Sequence, residues 1–219
     1  MNETIVRTRY RGLRDVHVAV VTANSESEYA AETPIKVGRA ISAKISDKWS
    51  SEKIYSDDGT EDVITTYEGT EIELELNTLA PQDRALFFGQ LYKNGFLVKN
   101  VNDLPPEIAI GYRTRRMNGK YEFAWHLCGK FGQGNEDEFE TQADKIATKT
   151  SSLKGDFYER KLDGNYQHMV DESQLVEGDA THEKATAAIK SWFSAVQEPD
   201  TETHETGTED AGEDEPTTE

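Results

Sequence analysis

A strict alternation of acidic and aliphatic residues in the segment 70–76, TEIELEL, constrains the fold more than any other feature of the sequence. Successive side chains of a β-strand point to opposite faces of its sheet, so an extended strand separates the acids completely from the aliphatic residues. The segment therefore predicts a strand of an antiparallel sheet with one face in the core and one in water. The predicted core residues are Ile72, Leu74 and Leu76, and the predicted outer residues are Glu71, Glu73 and Glu75.

Two earlier segments show the same period of two. The stretch GLRDVHVAVVT covers residues 12–22, and GRAISAKISDKW covers residues 38–49. Each places three apolar residues at alternate positions and predicts a strand with one apolar face. Residues 146–161 predict a further strand with weaker patterning. The alternating sets are Val16, Val18 and Val20 in the first segment and Ile41, Ala43 and Ile45 in the second.

A β-hairpin is predicted in residues 107–131, because Asn118-Gly119 separates two extended runs there. Asn-Gly is the strongest short-range hairpin signal, since both residues accept the positive φ of a tight turn. Four large apolar residues alternate along the returning strand and predict a shared apolar face. They are Tyr121, Phe123, Trp125 and Leu127.

Two helices are also predicted. In residues 80–95, APQDRALFFGQLYKNG, Pro81 suits a first helical turn and Asn94-Gly95 supplies a C-terminal stop. Near the end of the chain, residues 185–196 carry a continuous apolar stripe at helical spacing, so a C-terminal helix should dock its tryptophan face. The stripe consists of Ala185, Ala188, Ile189, Trp192, Phe193 and Val196.

These segments add up to six to eight strands with one or two helices. They predict a mainly β fold, an antiparallel β-sandwich or barrel with a flanking α-helix and a C-terminal helix, in one domain of residues 1–197. Residues 198–219 contain ten acids, no lysine or arginine and no large apolar residue, and they predict a disordered acidic tail. The tail accounts for ten of the net charge of −18, which leaves −8 for the domain.

Composition narrows the function classes. The net charge of −18 argues against nucleic acid held through phosphate contacts, and it is compatible with DNA passing nearby. The single cysteine, Cys128, excludes an internal disulfide, and a small core residue is its predicted role. No window approaches the length of a membrane span, so we expect no membrane partner.

No motif for catalysis, cofactor binding or metal ligation stands out, and we predict a protein that is not an enzyme and has no cofactor. The five histidines lack the spacing of a zinc-binding helix. Two acidic stretches, residues 57–62 and 136–138, lie in turn-like sequence without the ligand spacing of an EF-hand. A solvated loop, a weak divalent cation site and a glycosidase-type carboxylate pair all stay open for them.

The order and spacing of the segments resemble the phi13-type major tail proteins of long-tailed bacteriophages, which are the subunits of the tail tube. The resemblance covers about Tyr10 to Glu159, and the aromatic end SWFSAV also fits it. The acidic tail lies outside the familiar pattern. The segments that carry the resemblance are GLRDVHVAVVT, KIYSDDGTEDVITTYEGTEIELEL, ALFFGQL, LPPEIAIGYRTRRMNGKYEFAWHLCGKF and the strand around TKTSSLKGDF.

This resemblance implies a β-sandwich with a flanking helix that joins five copies of itself into a six-membered ring, and rings that stack into a hollow tube. Strands of neighbouring subunits would continue one another's sheets into a closed inner barrel, which removes unpaired strand edges. The implied role is structural: a conduit for DNA ejection, located in the virion tail and made in the cytoplasm of a bacterial host. The implied partners are further copies of the chain, a tape measure protein and the tail terminator and distal tail proteins.

Two sets of residues gain a role from this resemblance. Glu71, Glu73 and Glu75 are candidates for the lumen wall, where fixed negative charge would keep DNA from adhering; a simple wet surface is the alternative. The hairpin of residues 46–62 is implied to reach the next ring through aromatic anchors; packing within its own subunit is the alternative. The candidates at this contact are Trp49, Tyr55, Asp57, Asp58 and Gly59.

Two other function classes stay open. A monomeric β-sandwich binding module of a phage particle, for instance one that binds sugar, fits the same strand pattern. A hydrolase would use loop carboxylates such as Asp57 or Glu138. A tube subunit should convert to very large assemblies as its concentration rises, whereas a binding module should stay small.

Overall fold

The computed structural model describes residues 5–56, 59–132, 150–176 and 178–199, and for residues 55–61 it describes no side chains. Within these residues the chain forms eleven strands, two α-helices and a 3₁₀ helix, which confirms the mainly β prediction with more strands than expected. In chain order they are β1 (Tyr10–Asn24), β2 (Tyr29–Ala31), β3 (Ile35–Lys36), β4 (Ala40–Ser56), β5 (Gly59–Leu76), α1 (Pro81–Phe88), β6 (Leu91–Lys93), β7 (Phe96–Val98), β8 (Ile108–Arg116), β9 (Tyr121–Phe131), β10 (Ser151–Tyr158), β11 (Gln167–Asp171), the 3₁₀ helix (Ala180–His182) and α2 (Glu183–Lys190).

Nine of the strands form one large antiparallel sheet. Seven run side by side in the order β2-β1-β8-β9-β10-β5-β4, while β3 also pairs with β1 and β11 also pairs with β9. β6 and β7 form a separate small hairpin. The large sheet curls until β1 and β4 come into contact, but no strand ladder joins them in the described part of the chain. The predicted barrel is therefore wrong for the described residues, since the sheet stays open at β4.

A bulge divides β1 into two parts. The pairing of β1 with β8 shifts next to Asp15, which takes a positive φ of 53°. Before the bulge the strand is largely exposed, and after it the strand is buried on both faces. The sequence predicted one buried face for this strand, but after the bulge the opposite face is buried as well. Val16 and Val18 lie in one core, Val20 packs against it, and Ala19 and Val21 lie in a second core.

The two hydrophobic cores lie on opposite faces of the large sheet. The first is enclosed by the curl of the sheet and by α1, and the predicted inner face of β5 is confirmed there. The second lies beneath the C-terminal segment, residues 183–199, and contains Cys128 as a buried side chain, as predicted. β9 lies between both cores, so its central residues are buried on both faces and not on one. The buried side chains of β5 are Ile72, Leu74 and Leu76.

In the β9–β10 pair, one glycine of each strand lies beneath an aromatic ring of the other strand. Gly129 on β9 pairs with Phe157 on β10, and a Cβ atom at Gly129 would overlap that ring. Gly155 on β10 faces Phe131 on β9, where a Cβ atom would lie 2.9 Å from ring Cδ1. A side chain at either glycine would displace the ring. The two glycines therefore decide how closely the rings pack on the sheet.

The helix α1 is shorter than predicted. It begins at Pro81, as expected, but it ends at Phe88, because Gly89 takes the left-handed φ of 67° that caps many helices. Asn94-Gly95, expected to stop this helix, forms the turn of the β6–β7 hairpin instead. The prediction is wrong because the nearer glycine offers the earlier cap. Tyr92 therefore lies on a strand and not in the helix.

The C-terminal helix is also shorter than its apolar stripe. α2 ends at Lys190, and the remaining stripe residues follow in turns. Their docking is nevertheless confirmed, because Trp192 is 2% exposed and its carbonyl oxygen accepts a hydrogen bond from Trp125 Nε1 at 3.2 Å. No helix of the residues described here is long and apolar enough to cross a membrane.

Candidate assembly surfaces

The far halves of β4 and β5 form a protruding two-stranded ribbon, residues 49–56 and 59–67, which we call the arm. These residues pair with one another in register from Trp49 opposite Tyr67 to Ser56 opposite Gly59. Eight residues of β4 and nine of β5 make the arm about 26 Å long. Apart from Tyr67, every arm residue whose side chain is described is exposed to solvent. The arm therefore extends beyond the two cores of the domain.

The arm carries apolar side chains on both of its faces. The register places Trp49 and Val63 on one face, and Ile54 and Ile64 on the other. All four are 40% to 51% exposed. A two-stranded hairpin is marginally stable alone in water. Because large apolar residues are exposed on both faces of the arm, neither face is buried against the domain. The arm thus has the composition of a segment that packs into a partner.

Aromatic rings and hydrogen bonds fix the base of the arm. The ring of Tyr67 stacks on Tyr166 at 4.3 Å between centroids and meets Trp49 edge-on at 5.2 Å. The Tyr67 hydroxyl lies 2.7 Å from Thr70 Oγ1, and Thr70 donates to Asp47 Oδ1 at 2.6 Å. Burial raises the pKa of Tyr67 to about 12. The direction of the arm is therefore set by the domain.

Of the predicted contact residues, only Trp49 has a described side chain. Its indole packs against Tyr67 of the same subunit, and about half of the side chain stays exposed to solvent. Gly59 begins β5, and the side chain of Tyr55 is not described. Asp57 and Asp58 lie outside the described residues. Their contact with a neighbouring ring stays a prediction.

The three glutamates of β5 share the outer face of the sheet, as predicted, but they do not stand alone. Glu71 binds Lys48 of β4 at 2.8 Å and Lys154 of β10 at 2.9 Å, and these lysines hold the pKa of its carboxyl at about 2. Glu73 lies 3.5 Å from Lys44 and 3.8 Å from Lys154. A lysine of a flanking strand thus approaches each of these two carboxylates.

Glu75 is satisfied by hydroxyl groups. Ser42 of β4 donates to one of its oxygens at 2.9 Å, and Thr150 donates to the other at 2.8 Å. Both hydrogen bonds lower the pKa of this carboxyl, that from Thr150 more. Glu71 and Glu75 therefore have polar partners at hydrogen-bond distance on both sides of β5, whereas Glu73 accepts a hydrogen bond only from Lys44 of β4.

The outer face around β5 carries no excess of negative charge. We call it the glutamate face, and it consists of the outward residues of β5, of β4 before the arm, of β10 and of the neighbouring end of β9. Its carboxylates and its lysines are equal in number, because the lysines stand opposite the acids across the ladders. The acids are Glu71, Glu73, Glu75 and Asp156, and the bases are Lys44, Lys48, Lys130 and Lys154.

A buried arginine fastens the last described residues to the sheet. The guanidinium of Arg160 donates to both carboxylate oxygens of Asp163, at 2.7 and 2.6 Å, and to Glu198 at 2.6 Å. It also lies 5.0 Å from the ring centroid of Tyr29. The Arg160 contact lowers the pKa of Asp163 to about 2. The predicted boundary of the acidic tail at residue 198 therefore falls on a residue that the domain holds.

Three polar side chains, of which Tyr112 and His126 are buried and Gln167 is half-buried, contact one another beside the first core. The Tyr112 hydroxyl lies 3.2 Å from His126 Nε2, and Gln167 Nε2 lies 3.3 Å from the same nitrogen. Burial lowers the pKa of His126 to about 4, so the ring is neutral at pH 7. His126 Nδ1 has no hydrogen-bond partner. Tyr112 and Gln167 thus hold the His126 ring within the packed sheet.

The described residues show no metal site, and a groove between β11 and α2 does not suit a sugar. Residues 136–138 lie outside them, and among those described no three His, Cys, Asp or Glu side chains converge as metal ligands would. A groove of about 530 Å³ lies between β11 and α2 and is lined by His168 and Trp192. The indole of Trp192 is too deeply buried to offer a stacking face to a sugar.

Comparison of the chain with known protein families and with curated proteins finds no match. The assignment of the arm and the glutamate face as candidate assembly surfaces is therefore based on the geometry of this chain alone. Sequence reasoning located both but missed what completes them. The lysines opposite the glutamates lie on strands distant in sequence, and Arg160 lies in a segment without a periodic pattern.

Proposed function

We propose that this protein is a self-assembling structural subunit whose copies join into six-membered rings, and that the stacked rings form the tail tube of a long-tailed bacteriophage. The proposal rests on the resemblance of the sequence to phi13-type major tail proteins. It includes their fold, a β-sandwich completed as a closed inner barrel only when copies assemble. In the virion the tube conducts DNA into the host, and the subunit is made in the host cytoplasm.

The observation that carries the proposal is the open edge of β4. This strand is 17 residues long and pairs with β5 on one side, while no described strand pairs with its other side. Long unpaired edges are templates for another chain, and soluble proteins usually cover or shorten them. A strand from a second copy would satisfy the free backbone groups of β4 and would continue the sheet around a ring.

The arm supplies the second contact in this proposal. Its exposed apolar residues, Trp49, Ile54, Val63 and Ile64, would be buried against the neighbouring ring. Burying the exposed part of a large aliphatic side chain contributes on the order of 1 kcal/mol. Six copies of the arm per ring would repeat that contribution around the interface, with Tyr55, Asp57, Asp58 and Gly59 at the tip.

The glutamate face is the candidate lumen wall in this arrangement. Three of its four lysines, Lys44, Lys48 and Lys154, are bound to Glu71 or Glu73, so DNA would have to displace a carboxylate before a phosphate could pair with them. Affinity for DNA comes largely from counterions that free cations release. A wall on which three of four cations are already paired therefore adheres to DNA weakly, although it carries no net charge. Tape measure, terminator and distal tail proteins would contact the ends and interior of the tube.

Assembly of the purified full-length chain tests the proposal. We expect rings or tubes in negative-stain micrographs and a shift to very large species in size-exclusion chromatography as the concentration rises. Ile64→Asp in the arm should keep the fold, judged by circular dichroism, and abolish stacking, whereas Ile64→Val should assemble normally. A chain that stays monomeric at every concentration would contradict the proposal and favour the monomeric binding module.

A further inference from the structure

Exposed apolar side chains cluster on and just after the β6–β7 hairpin. Four of them, within residues 91–101, are between 49% and 98% exposed. Soluble proteins rarely leave several large apolar residues together in water, and such a cluster usually marks a contact site. The domain itself therefore leaves this part of its surface uncovered. The four residues are Leu91, Phe96, Val98 and Val101.

The ladder of β6 and β7 sorts their side chains into two faces, because residues that lie opposite one another or two apart point to the same side. The inner face contacts α1, and Gln82 of that helix donates to the Tyr92 hydroxyl at 3.1 Å. The outer face is turned to solvent. It consists of Leu91, Lys93, Phe96 and Val98, and we call it the hairpin patch.

The charged residues of the hairpin are positive. Residues 91–102 contain Lys93 and Lys99, which are both exposed, and no aspartate or glutamate. The chain as a whole has 42 acidic and 24 basic residues, so this stretch runs against its composition. Two copies of the hairpin patch would repel each other through their lysines. A partner that combines apolar residues with carboxylates is the better fit.

One face of the arm has the complementary composition. Ile54 lies opposite Asp62 across the ladder. Two residues away on the same side, Glu52 lies opposite Ile64, so each isoleucine is flanked by both carboxylates. The only basic residue of the arm, Lys53, points to the other face. We call this surface the acidic face of the arm, and it consists of Glu52, Ile54, Asp62 and Ile64.

The acidic face of the arm and the hairpin patch match in architecture and in charge. Each is one face of a two-stranded antiparallel ribbon, and two such faces pack about 10 Å apart. In that packing the isoleucines of the arm meet the apolar residues of the patch, and the carboxylates come within reach of the lysines. Two acidic faces would repel each other, as two patches would, so charge favours the unlike pairing.

Within one copy the two surfaces do not cover each other, because all eight of their side chains are exposed there. We propose that the acidic face of the arm of one copy binds the hairpin patch of a second copy. The contact joins two different surfaces, so it can repeat from copy to copy. It rests on the proposed assembly and deepens it, because it names the surface of a neighbouring copy that receives the arm.

Cysteine cross-linking between two full-length chains with different tags locates the contact. One chain carries Ile64→Cys, and the native Cys128 is buried. The other carries one cysteine in the hairpin patch, in place of Leu91, Phe96 or Val98 in three separate variants. Under a mild oxidant we expect a disulfide between the tags for at least one of the three.

The matched control is Val63→Cys, which neighbours Ile64 in sequence but lies on the opposite face of the arm. Its yield should be at least about tenfold lower, because two cysteines whose Cα atoms are more than about 7 Å apart do not bridge. Equal yields from Val63→Cys and Ile64→Cys would overturn the proposal. Disulfides that join two patches would overturn it too. A chain with both cysteines reports contact within one copy; if it closes on itself while separate chains do not cross-link, the proposal is wrong.

Charge exchange tests whether the lysines and the carboxylates meet. Lys93→Glu/Lys99→Glu should keep the fold, judged by circular dichroism, and raise the concentration at which half of the chain sediments as assemblies about tenfold or more. Glu52→Lys/Asp62→Lys should do the same. The chain with all four changes should return to within about threefold of the unchanged protein, since the pairs are restored with reversed charges.

Lys161→Glu/Lys190→Glu is the matched control, because both lysines are exposed and lie outside the two surfaces; it should shift the concentration by less than about twofold. No recovery in the chain with all four changes would overturn the proposal. Normal assembly of Lys93→Glu/Lys99→Glu would overturn this contact and leave the proposed tube in place, whereas an unchanged protein that never assembles or cross-links would overturn both.

Discussion

His17 lies flat against Phe193, with the ring centroids 4.1 Å apart and the ring planes inclined by 13°. His17 follows the bulge of β1, and its Nδ1 lies 2.9 Å from the carbonyl oxygen of Asp15. Phe193 follows α2 in the C-terminal segment. The stacked pair therefore attaches the end of the domain to its first strand, at a place where the backbone conformation of Asp15 turns the His17 ring outward.

Phe193→Ala should loosen the C-terminal segment. The half-buried ring contacts His17, Phe123 and Trp125, and its loss should lower the free energy of unfolding by about 2 kcal/mol. Chemical denaturation measures this change, and limited proteolysis should show earlier cleavage after residue 190. Phe96→Ala is the matched control, because Phe96 is 73% exposed and its removal should cost less than about 0.5 kcal/mol. Equal losses in both variants would contradict the packing role of Phe193.

Stability should fall as the pH drops from about 6.5 to about 4. Burial lowers the pKa of His126 to about 4, and burial also lowers the pKa of His17 and of His168. In this pH range the histidines are protonated in the unfolded chain but stay neutral in the folded chain, so the free energy of unfolding decreases as the pH falls. His126 contributes about 2–3 kcal/mol of the decrease, which levels off below its folded pKa.

Urea denaturation across this pH range measures the decrease. His126→Gln should reduce the slope of the free energy of unfolding against pH between 6.5 and 4. Below pH 4.5 a second loss should follow in both proteins, because Lys48 and Lys154 hold the pKa of Glu71 at about 2 and its protonation removes both contacts. An unchanged slope in His126→Gln would show that His126 does not carry the first loss.

Gly129→Ala should destabilise the domain by about 2–3 kcal/mol, because the new methyl group would overlap the ring of Phe157. Gly12→Ala is the control with the same chemistry, since no atom lies within 4 Å of a Cβ there. The double variant Gly129→Ala/Phe157→Leu should lose less stability than the sum of the two single changes. Denaturation of the four proteins gives this coupling, and strict additivity would argue against the steric contact.

Reversing the charge of all three glutamates of β5 should leave the fold and the proposed tubes intact, because their lysine partners are solvent-exposed and each pair is individually weak. The glutamate face would then hold seven lysines and a single carboxylate, Asp156. In a phage that carries these changes, DNA ejection should slow as free cations bind phosphate. The variants are Glu71→Lys, Glu73→Lys and Glu75→Lys.

The control changes the same number of charges away from the sheet face. Glu26, Glu28 and Glu32 are exposed near β2, and their replacement by lysine should not alter ejection. Ejection kinetics are followed by the fluorescence of a dye that binds the DNA released from the phage. Normal kinetics in the phage with the three β5 changes would remove these glutamates from the lumen wall.

Local patterns predicted the strands whose two faces differ, and they failed where both faces are buried. The alternation in β5 identified its core face because the other face meets water, and Asn118-Gly119 located the β8–β9 hairpin. In β9 only one buried face was predicted, but both faces are buried. One face lies in the first core, and the C-terminal segment covers the other. That cover depends on contacts between distant parts of the chain.

The chemistry of the glutamate face was predictable only in part. One strand shows which side its carboxylates take, but it carries no information on what stands opposite them. Lys48 and Lys154 come into contact with Glu71 because β4 and β10 flank β5, an order that no local pattern encodes. Arg160 was missed for the same reason, since its partners Tyr29 and Glu198 come from opposite ends of the sequence.

The ring-over-glycine contacts between β9 and β10 bear on how such a sequence can diverge. Gly129 and Phe157 occupy one volume between them, as do Gly155 and Phe131, so neither member of a pair can grow unless the other shrinks. Descendants of this chain should exchange these positions two at a time, and the glycines should persist for as long as the phenyl rings do. Linked inheritance at these sites would mark the β9–β10 pairing in sequences whose other similarity has been lost.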